Sequence, residues 1–244
     1  AKFEINLKNF AIFLFCDIKA ANISEKMCHL IDRPLLSLLV ATITLSLVYV
    51  ASASENLVTC GSAIKLSHEE AGPSFLLNSA GHNWGGGSGQ QVVTMVPDRS
   101  DTASLWLVRE ANDNPQCSPG EPIKCGTTIR LTHLETNKNL HTHHVRSALS
   151  GQQEISAFGE NGEGDNADNW SVVCYGRADY WERGAVVKFK HIETNKYLSA
   201  SSKIQFNERN CRNCPIMNNL EVAGSSKVDQ HTNFKAELGV FLSK

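Results

Sequence analysis

His133-Leu-Glu-Thr-Asn-Lys-Asn-Leu140 recurs as His191-Ile-Glu-Thr-Asn-Lys-Tyr-Leu198. The register extends outward, because Gly126, Ile129 and Leu131 precede the first copy as Gly184, Val187 and Phe189 precede the second. Apolar residues at every second position, then Glu-Thr-Asn-Lys, then an apolar restart, read as strand, turn, strand. Thr and Asn suit the turn, since their side chains bond nearby backbone and Asn tolerates positive φ. A looser copy lies upstream at Gly61, Ile64, Leu66 and His68, with the turn rewritten as Glu69-Glu-Ala-Gly-Pro73. A unit that cannot bury its own apolar face, present three times, implies that the copies pack on one another.

Two further landmarks recur. Ser88-Gly-Gln-Gln91 and Ser150-Gly-Gln-Gln153 each open a strand, with a degenerate counterpart at Asn218-Asn-Leu-Glu-Val222. Trp106, Trp170 and Phe234 then close the units, 45, 44 and 50 residues after Gly61, Gly126 and Gly184. Each unit accommodates about four short strands, and helical periodicity is missing from the intervening sequence. Three four-strand units make an all-β chain, and the simplest closed arrangement is a β-trefoil of pseudo-threefold symmetry. In it strands one and four of each unit build a barrel, and strands two and three form a hairpin cap. The expected barrel core is Ile64, Leu66, Trp106, Ile129, Leu131, Trp170, Val187, Phe189 and Phe234.

Upstream of the repeats, Met27-Cys-His-Leu-Ile-Asp-Arg33, the apolar Leu35–Val50 and Ala51-Ser-Ala53 read as a secretory signal. Residues 27–53 are thus expected to be a signal peptide and 1–26 an upstream extension foreign to the natural product. A membrane anchor fits less well, because the apolar run of about 16 residues is short of the ~20 that a spanning helix needs. Residues 54–244 form the repeat domain, with units at about 57–117, 119–178 and 179–242. A formal net charge of −2 offers no basic stripe for nucleic acid.

Residues of all these landmarks resemble the MIR repeat, shared by protein O-mannosyltransferases, inositol trisphosphate receptors and ryanodine receptors. Val58-Thr-Cys-Gly61, Ile123-Lys-Cys-Gly126, Arg130-Leu-Thr-His133, Leu140-His141, Gly162-Glu-Gly-Asp165 and Trp170–Cys174 resemble, more narrowly, the stromal cell-derived factor 2 family. The resemblance spans nearly all of 57–242 and is weaker in the third unit. It implies a small three-MIR β-trefoil of the endoplasmic reticulum lumen, without catalytic residues or cofactor. Implied partners are lumenal Hsp70-type chaperones, J-domain proteins and unfolded or O-mannosylated secretory clients. Family members commonly end in a His-Asp-Glu-Leu-like retrieval signal, whereas this chain ends Gly239-Val-Phe-Leu-Ser-Lys244. Retention through a partner complex, or secretion, is therefore expected. A carbohydrate-binding trefoil is the alternative function. O-mannosyl transfer is not, since those enzymes catalyse in a multispanning membrane domain.

An oxidising compartment predicts disulfides among Cys60, Cys117, Cys125 and Cys174. The first and last strands of one unit neighbour each other at a trefoil's rim, which predicts Cys60–Cys117 and Cys125–Cys174. Cys211-Arg-Asn-Cys214 has redox-motif spacing, but Pro215 follows and no helix lowers a thiol pKa, so a local staple is expected. His133 and His191 are read as bonding within their hairpins, and His141 and His143 as an exposed polar patch. Zinc is not assigned, because neither a cysteine pair nor a carboxylate lies nearby at ligand spacing. In unit one the equivalent of Leu140-His-Thr-His143 reads Leu76-Leu-Asn-Ser79. Glu160–Asp168 reads as a solvated acidic loop, and the Gly85–Gly89 run opens no helix that could cradle phosphate. The sequon Asn169-Trp-Ser171 is expected to be poorly used, its Trp being a core residue. The candidate binding face is the second hairpin: Asn137, Lys138, His141, His143 and Arg146.

Overall fold

A computed structural model describes residues 56–243; the expected signal segment, 27–53, lies outside the described residues. The first unit contributes β1 (Ala63–His68), β2 (Gly72–Asn78), β3 (Gln91–Val92), β4 (Thr94–Val96) and β5 (Trp106–Glu110). The second contributes β6 (Thr128–His133), β7 (Asn139–His141), β8 (Gln153–Glu154), β9 (Ser156–Phe158) and β10 (Trp170–Cys174). The third contributes β11 (Val187–His191), β12 (Tyr197–Gln205), β13 (Leu220–Ser225) and β14 (Phe234–Val240). Four strands per unit are recovered once β3/β4 and β8/β9 are seen as single strands interrupted at Val93 and Ile155.

Pairing closes a barrel. β1 pairs with β5, β5 with β6, β6 with β10, β10 with β11, β11 with β14, and β14 returns to β1, all antiparallel. These are the first and last strands of each unit, and closure leaves the barrel no free edge. The second and third strands pair as hairpins, β2 with β4, β7 with β9 and β12 with β13. Contacts β4–β13, β3–β9 and β8–β13 join these hairpins into the cap. The architecture is an all-β trefoil.

Alternation along the barrel strands sends one face inward, and all nine expected core residues are 0–1% exposed. Burying side chains of this size contributes roughly 2–3 kcal/mol each. Trp106 and Trp170 also donate their indole N–H to the carbonyls of Leu77 and Leu140, at 3.0 and 2.8 Å. Phe234 fills the third position without that bond. Trp181 is a further fully buried indole, meeting Phe189 edge-on at 5.5 Å.

The indole bonds set the alignment between units. Leu77, not Leu76, is the counterpart of Leu140, so His141-Thr-His143 corresponds to Asn78-Ser-Ala80. The expected register was off by one residue, because the first turn is longer and β1 pairs with β2 through a bulge at Ser67/His68. The cysteines bond Cys60 to Cys117 and Cys125 to Cys174, with Cα–Cα distances of 6.1 and 5.6 Å. Closing loops of that length contributes about 2–4 kcal/mol each. Cys211 bonds Cys214 in a loop packed on Val92, Phe206 and Ile216. Val92 stands where the other units carry Glu154 and Glu221. Those carboxylates instead accept from the preceding unit's loop, Glu154 from Ser88 and Glu221 from the Leu149 and Ser150 amides. An apolar residue thus faces the apolar cysteine loop, and a carboxylate faces each polar one.

Candidate functional site

Before the last strand of each unit the chain makes a short 3-10 turn: Thr102–Ser104, Asn166–Asp168 and Gln230–Thr232. An Asp precedes each. The side chains of Asp101, Asp165 and Asp229 accept from the amides of Ala103, Ala167 and His231 at 2.8–2.9 Å. This is ordinary N-capping, which satisfies amides the turn leaves free.

The repeated histidines read these turns. His133 Nε2–H donates to the Ala103 carbonyl at 2.9 Å, His191 to Ala167 at 3.0 Å and His68 to His231 at 2.9 Å. On the other ring nitrogen, Nδ1 of His133 and His191 accepts from Thr136 and Thr194 of its own hairpin, and Nδ1 of His68 from the Ala71 amide. Each histidine therefore bonds its own turn and also latches one unit onto the turn of another. The bonds of His133 and His191 within their hairpins are those expected from the sequence, and the bond to another unit's turn is added to them. Gln91 and Gln153 reinforce the latch, each donating to the next unit's threonine, Thr136 or Thr194.

One nitrogen donating and one accepting is the neutral imidazole. Burial lowers the pKa of His68, His133 and His191, in keeping with that form. A group whose folded pKa lies below its unfolded value, about 6.5 for His, contributes stability that is present above that value. The contribution is lost as pH falls through the folded pKa. The denaturation midpoint is thus expected to fall on acidification from about pH 7.5 to about pH 5, with a slope of at most ~1.4 kcal/mol per pH unit for each histidine. Glu154, raised by burial, acts in the opposite sense and offsets part of this. A urea midpoint that stays flat across that range would contradict the latch.

The second unit departs from this scheme. Where the other turns carry Ser104 and Thr232, it carries Asp168, which is 0% exposed. The Asp168 carboxylate accepts from His141 Nδ1–H at 2.9 Å, Asn139 Nδ2 at 3.0 Å and the Asp165 amide at 3.0 Å. His141 Nε2 lies 2.8 Å from His143 Nδ1, so the carboxylate, the first imidazole and the second form a chain leading outward. His143 is partly exposed, and burial, then the neighbouring His141, lowers its pKa. His141, His143, Asp165, Asn166, Ala167 and Glu193 line an open cleft of about 410 Å³. Unit one holds Asn78 at the His141 position, donating to Asp101 and Ser104 at 3.1 Å. Unit three holds Ser199 and Ser201.

Several expectations change here. His141 is buried at 2% exposure, not part of an exposed patch, because Asp168 draws its ring inward. His143 alone reaches the surface of the pair. Asn137 and Lys138 do not share the histidine cleft. Asn137 turns the hairpin at φ 52°, and Lys138 lines a separate depression with Thr136, Phe158 and Gly159, bonding the Gly159 carbonyl. Arg146 is exposed in an isolated bridge to Gln153 and lines neither. The acidic loop is not simply solvated. Arg130, 4% exposed, and Asn139 hold the Gly162 carbonyl at 3.0 and 3.2 Å, while Asp165 and Asp168 close a capping box. The sequon Asn169 is itself buried at 8% exposure and accepts from the Asn112 amide, so it is occluded.

Sequence reasoning missed Asp165, Asp168 and Glu193. A signal was present: Asp-x-x-Ser-x-Trp at 101–106, Asp-x-x-Asp-x-Trp at 165–170 and Asp-x-x-Thr-x-Phe at 229–234. That alignment singles out Asp168 as the one charged residue at a hydroxyl position.

A closed six-strand barrel, a threefold cap and histidine latches define the chain as a MIR β-trefoil, and the MIR domain family matches residues 74–175. Stromal cell-derived factor 2-like protein 1 of Mus musculus is 43% identical over 194 residues, covering 79% of this chain and 81% of that one. The chain belongs to the stromal cell-derived factor 2 family and carries a MIR domain. The crystal structure of the SDF2-like protein from Arabidopsis thaliana superposes with a TM-score of 0.70 at 34% identity, covering 77% of this chain and 98% of that chain. A chain of the Saccharomyces cerevisiae protein O-mannosyltransferase Pmt1-Pmt2 complex bound to the sugar donor superposes with a TM-score of 0.63 at 25% identity. That match covers 76% of this chain and 26% of the transferase chain. No helix among the described residues is long and apolar enough to cross a membrane.

Proposed function

We propose that the chain is a non-enzymatic accessory protein of the secretory pathway, acting in the endoplasmic reticulum lumen beside chaperones. Its partners on this reading are an Hsp70-type chaperone with its J-domain protein, and its clients unfolded or O-mannosylated secretory proteins. The observation that carries the reading is family membership at 43% identity across most of both chains. The likeness to a chain of the O-mannosyltransferase complex supports a setting among secretory glycoproteins. Three disulfides suit an oxidising compartment.

A lectin reading draws less support from the surface. Sugars stack on exposed flat rings, yet Trp106, Trp170 and Trp181 are 0% exposed and Trp84 is partly covered beside Phe206, which leaves Tyr175, at 81%, as the large exposed ring among the described residues. The test is capture of partners from lumenal extract on the purified chain, with and without free mannose. Recovery of Hsp70 and J-domain proteins in near-stoichiometric amounts, unaffected by the sugar, is expected. Glycoproteins that elute with mannose, without a chaperone, would replace this reading with the carbohydrate-binding one.

A further inference from the structure

We propose that His141 and His143, with the carboxylate of Asp165, form a binding site for one divalent transition metal of the zinc class. The first reason is the support behind His141. Its Nδ1–H is held by Asp168 at 2.9 Å, and that carboxylate is buried and fixed by Asn139 and the Asp165 amide. A carboxylate behind an imidazole is the usual outer shell of a metal-bound histidine: it sets the tautomer and makes the free nitrogen more basic. The other ring nitrogen, Nε2, is turned toward His143.

The second reason is the neighbouring donor. His143 Nδ1 lies 2.8 Å from His141 Nε2. Two imidazole nitrogens on a tetrahedral metal, each bonded at ~2.0–2.1 Å, sit roughly 3.3 Å apart. A metal therefore takes the place of the proton between the two rings if they part by about half an ångström, and that proton passes through solvent from His143 Nδ1 to His143 Nε2, so that both rings stay neutral. His143 borders the open cleft and is the ring with room to move.

Asp165 lines the same cleft and supplies the anionic ligand once its exposed side chain turns from the Nδ1 side of His141 toward Nε2. One of its oxygens caps Ala167 and lies 3.7 Å from His141 Nδ1, and its side chain is 55% exposed. The second oxygen has no hydrogen-bond partner among the described residues. Glu193 lines the same cleft and offers a further carboxylate, and water completes the shell. Imidazole with carboxylate selects zinc, copper, nickel or cobalt over magnesium or calcium. All six cysteines among the described residues are in disulfides, so thiolates do not compete.

The other units serve as an internal control. They place Asn78 and Ala80, or Ser199 and Ser201, where unit two has its histidines, which predicts one metal per chain. The test is calorimetric titration of the purified, tag-free chain with zinc, and cobalt(II) absorption as a report of coordination. One-to-one saturable binding is expected, with tetrahedral cobalt bands. The double variant His141→Asn/His143→Ala, which gives unit two the residues of unit one, should abolish both signals while keeping the native circular dichroism. His143→Ala alone, a change at the cleft surface, should weaken binding at least tenfold. Asp168→Asn should weaken it by roughly 10–100-fold through the outer shell. No saturable binding by the parent chain, or equal binding by His143→Ala, overturns the proposal.

Discussion

Replacing Asp168 by alanine is expected to destabilise the fold by about 3–5 kcal/mol, the range seen when one partner of a buried charged network is removed. The group is fully buried and accepts three hydrogen bonds, from His141, Asn139 and the Asp165 amide. Truncation leaves the buried His141 and Asn139 N–H groups without this acceptor, at about 1–3 kcal/mol for each unpaired donor, and frees the partly buried Asp165 amide. Urea unfolding followed by circular dichroism measures the loss directly. The first unit shows how the network can be relieved, since Asn78 and Ser104 occupy the same two positions and bond at 3.1 Å. The double variant Asp168→Ser/His141→Asn should therefore be more stable than Asp168→Ala alone. The two sites touch, so their effects should not add. A cost for Asp168→Ala below about 1 kcal/mol would mean that the carboxylate is not the anchor described here.

Trp170→Ala should cost a similar amount, about 3–5 kcal/mol, from lost burial and the cavity left in the barrel. Its ring is 0% exposed and packs on His191 at 4.9 Å, while its N–H holds the Leu140 carbonyl at 2.8 Å. Trp170→Phe should cost much less, because Phe234 fills the equivalent place in unit three without an N–H. Its losses are a smaller ring and one hydrogen bond, the latter worth about 1 kcal/mol net. The same denaturation measurement separates the two variants. A phenylalanine variant as unstable as the alanine one would show that the indole bond, not barrel packing, dominates at this position.

Much of the barrel was legible because its determinants are local. Alternation in Ile129-Arg-Leu131 and Val187-Lys-Phe189 sets which side chains face inward, and a twofold period leaves little choice of face. Recurrence of that alternation three times then calls for three packed copies. The cysteine pairing followed from the same geometry, as the ends of one unit meet at the rim. The alignment of unit one slipped by a residue for a local reason as well. A longer turn and a bulge at Ser67/His68 absorb residues that simple offsets count as strand.

The site was legible only in part. His141 and His143 stand out as alternate residues on a strand, but alternation alone says neither that His141 is buried nor what lies behind it. Asn137, Lys138 and Arg146 share their hairpin in sequence and diverge in space, because a turn, a strand and a bridge point them to different surfaces. Asp165 and Asp168 sit more than twenty residues downstream in a stretch that reads as a solvated loop by composition. Capping of a single turn, and the pull of Arg130 on the Gly162 carbonyl, fold that loop onto β7.

By itself the sequence determined the threefold repeat, the strands, the inward faces and the disulfide partners, all of which follow from periodicity and closure. Tertiary structure alone decided that each repeated histidine joins two units, that Asp168 is buried beneath His141, and that Asp165 and Glu193 share the cleft with His143. Those relations depend on where distant segments meet once the barrel closes. No short-range rule of spacing contains that information.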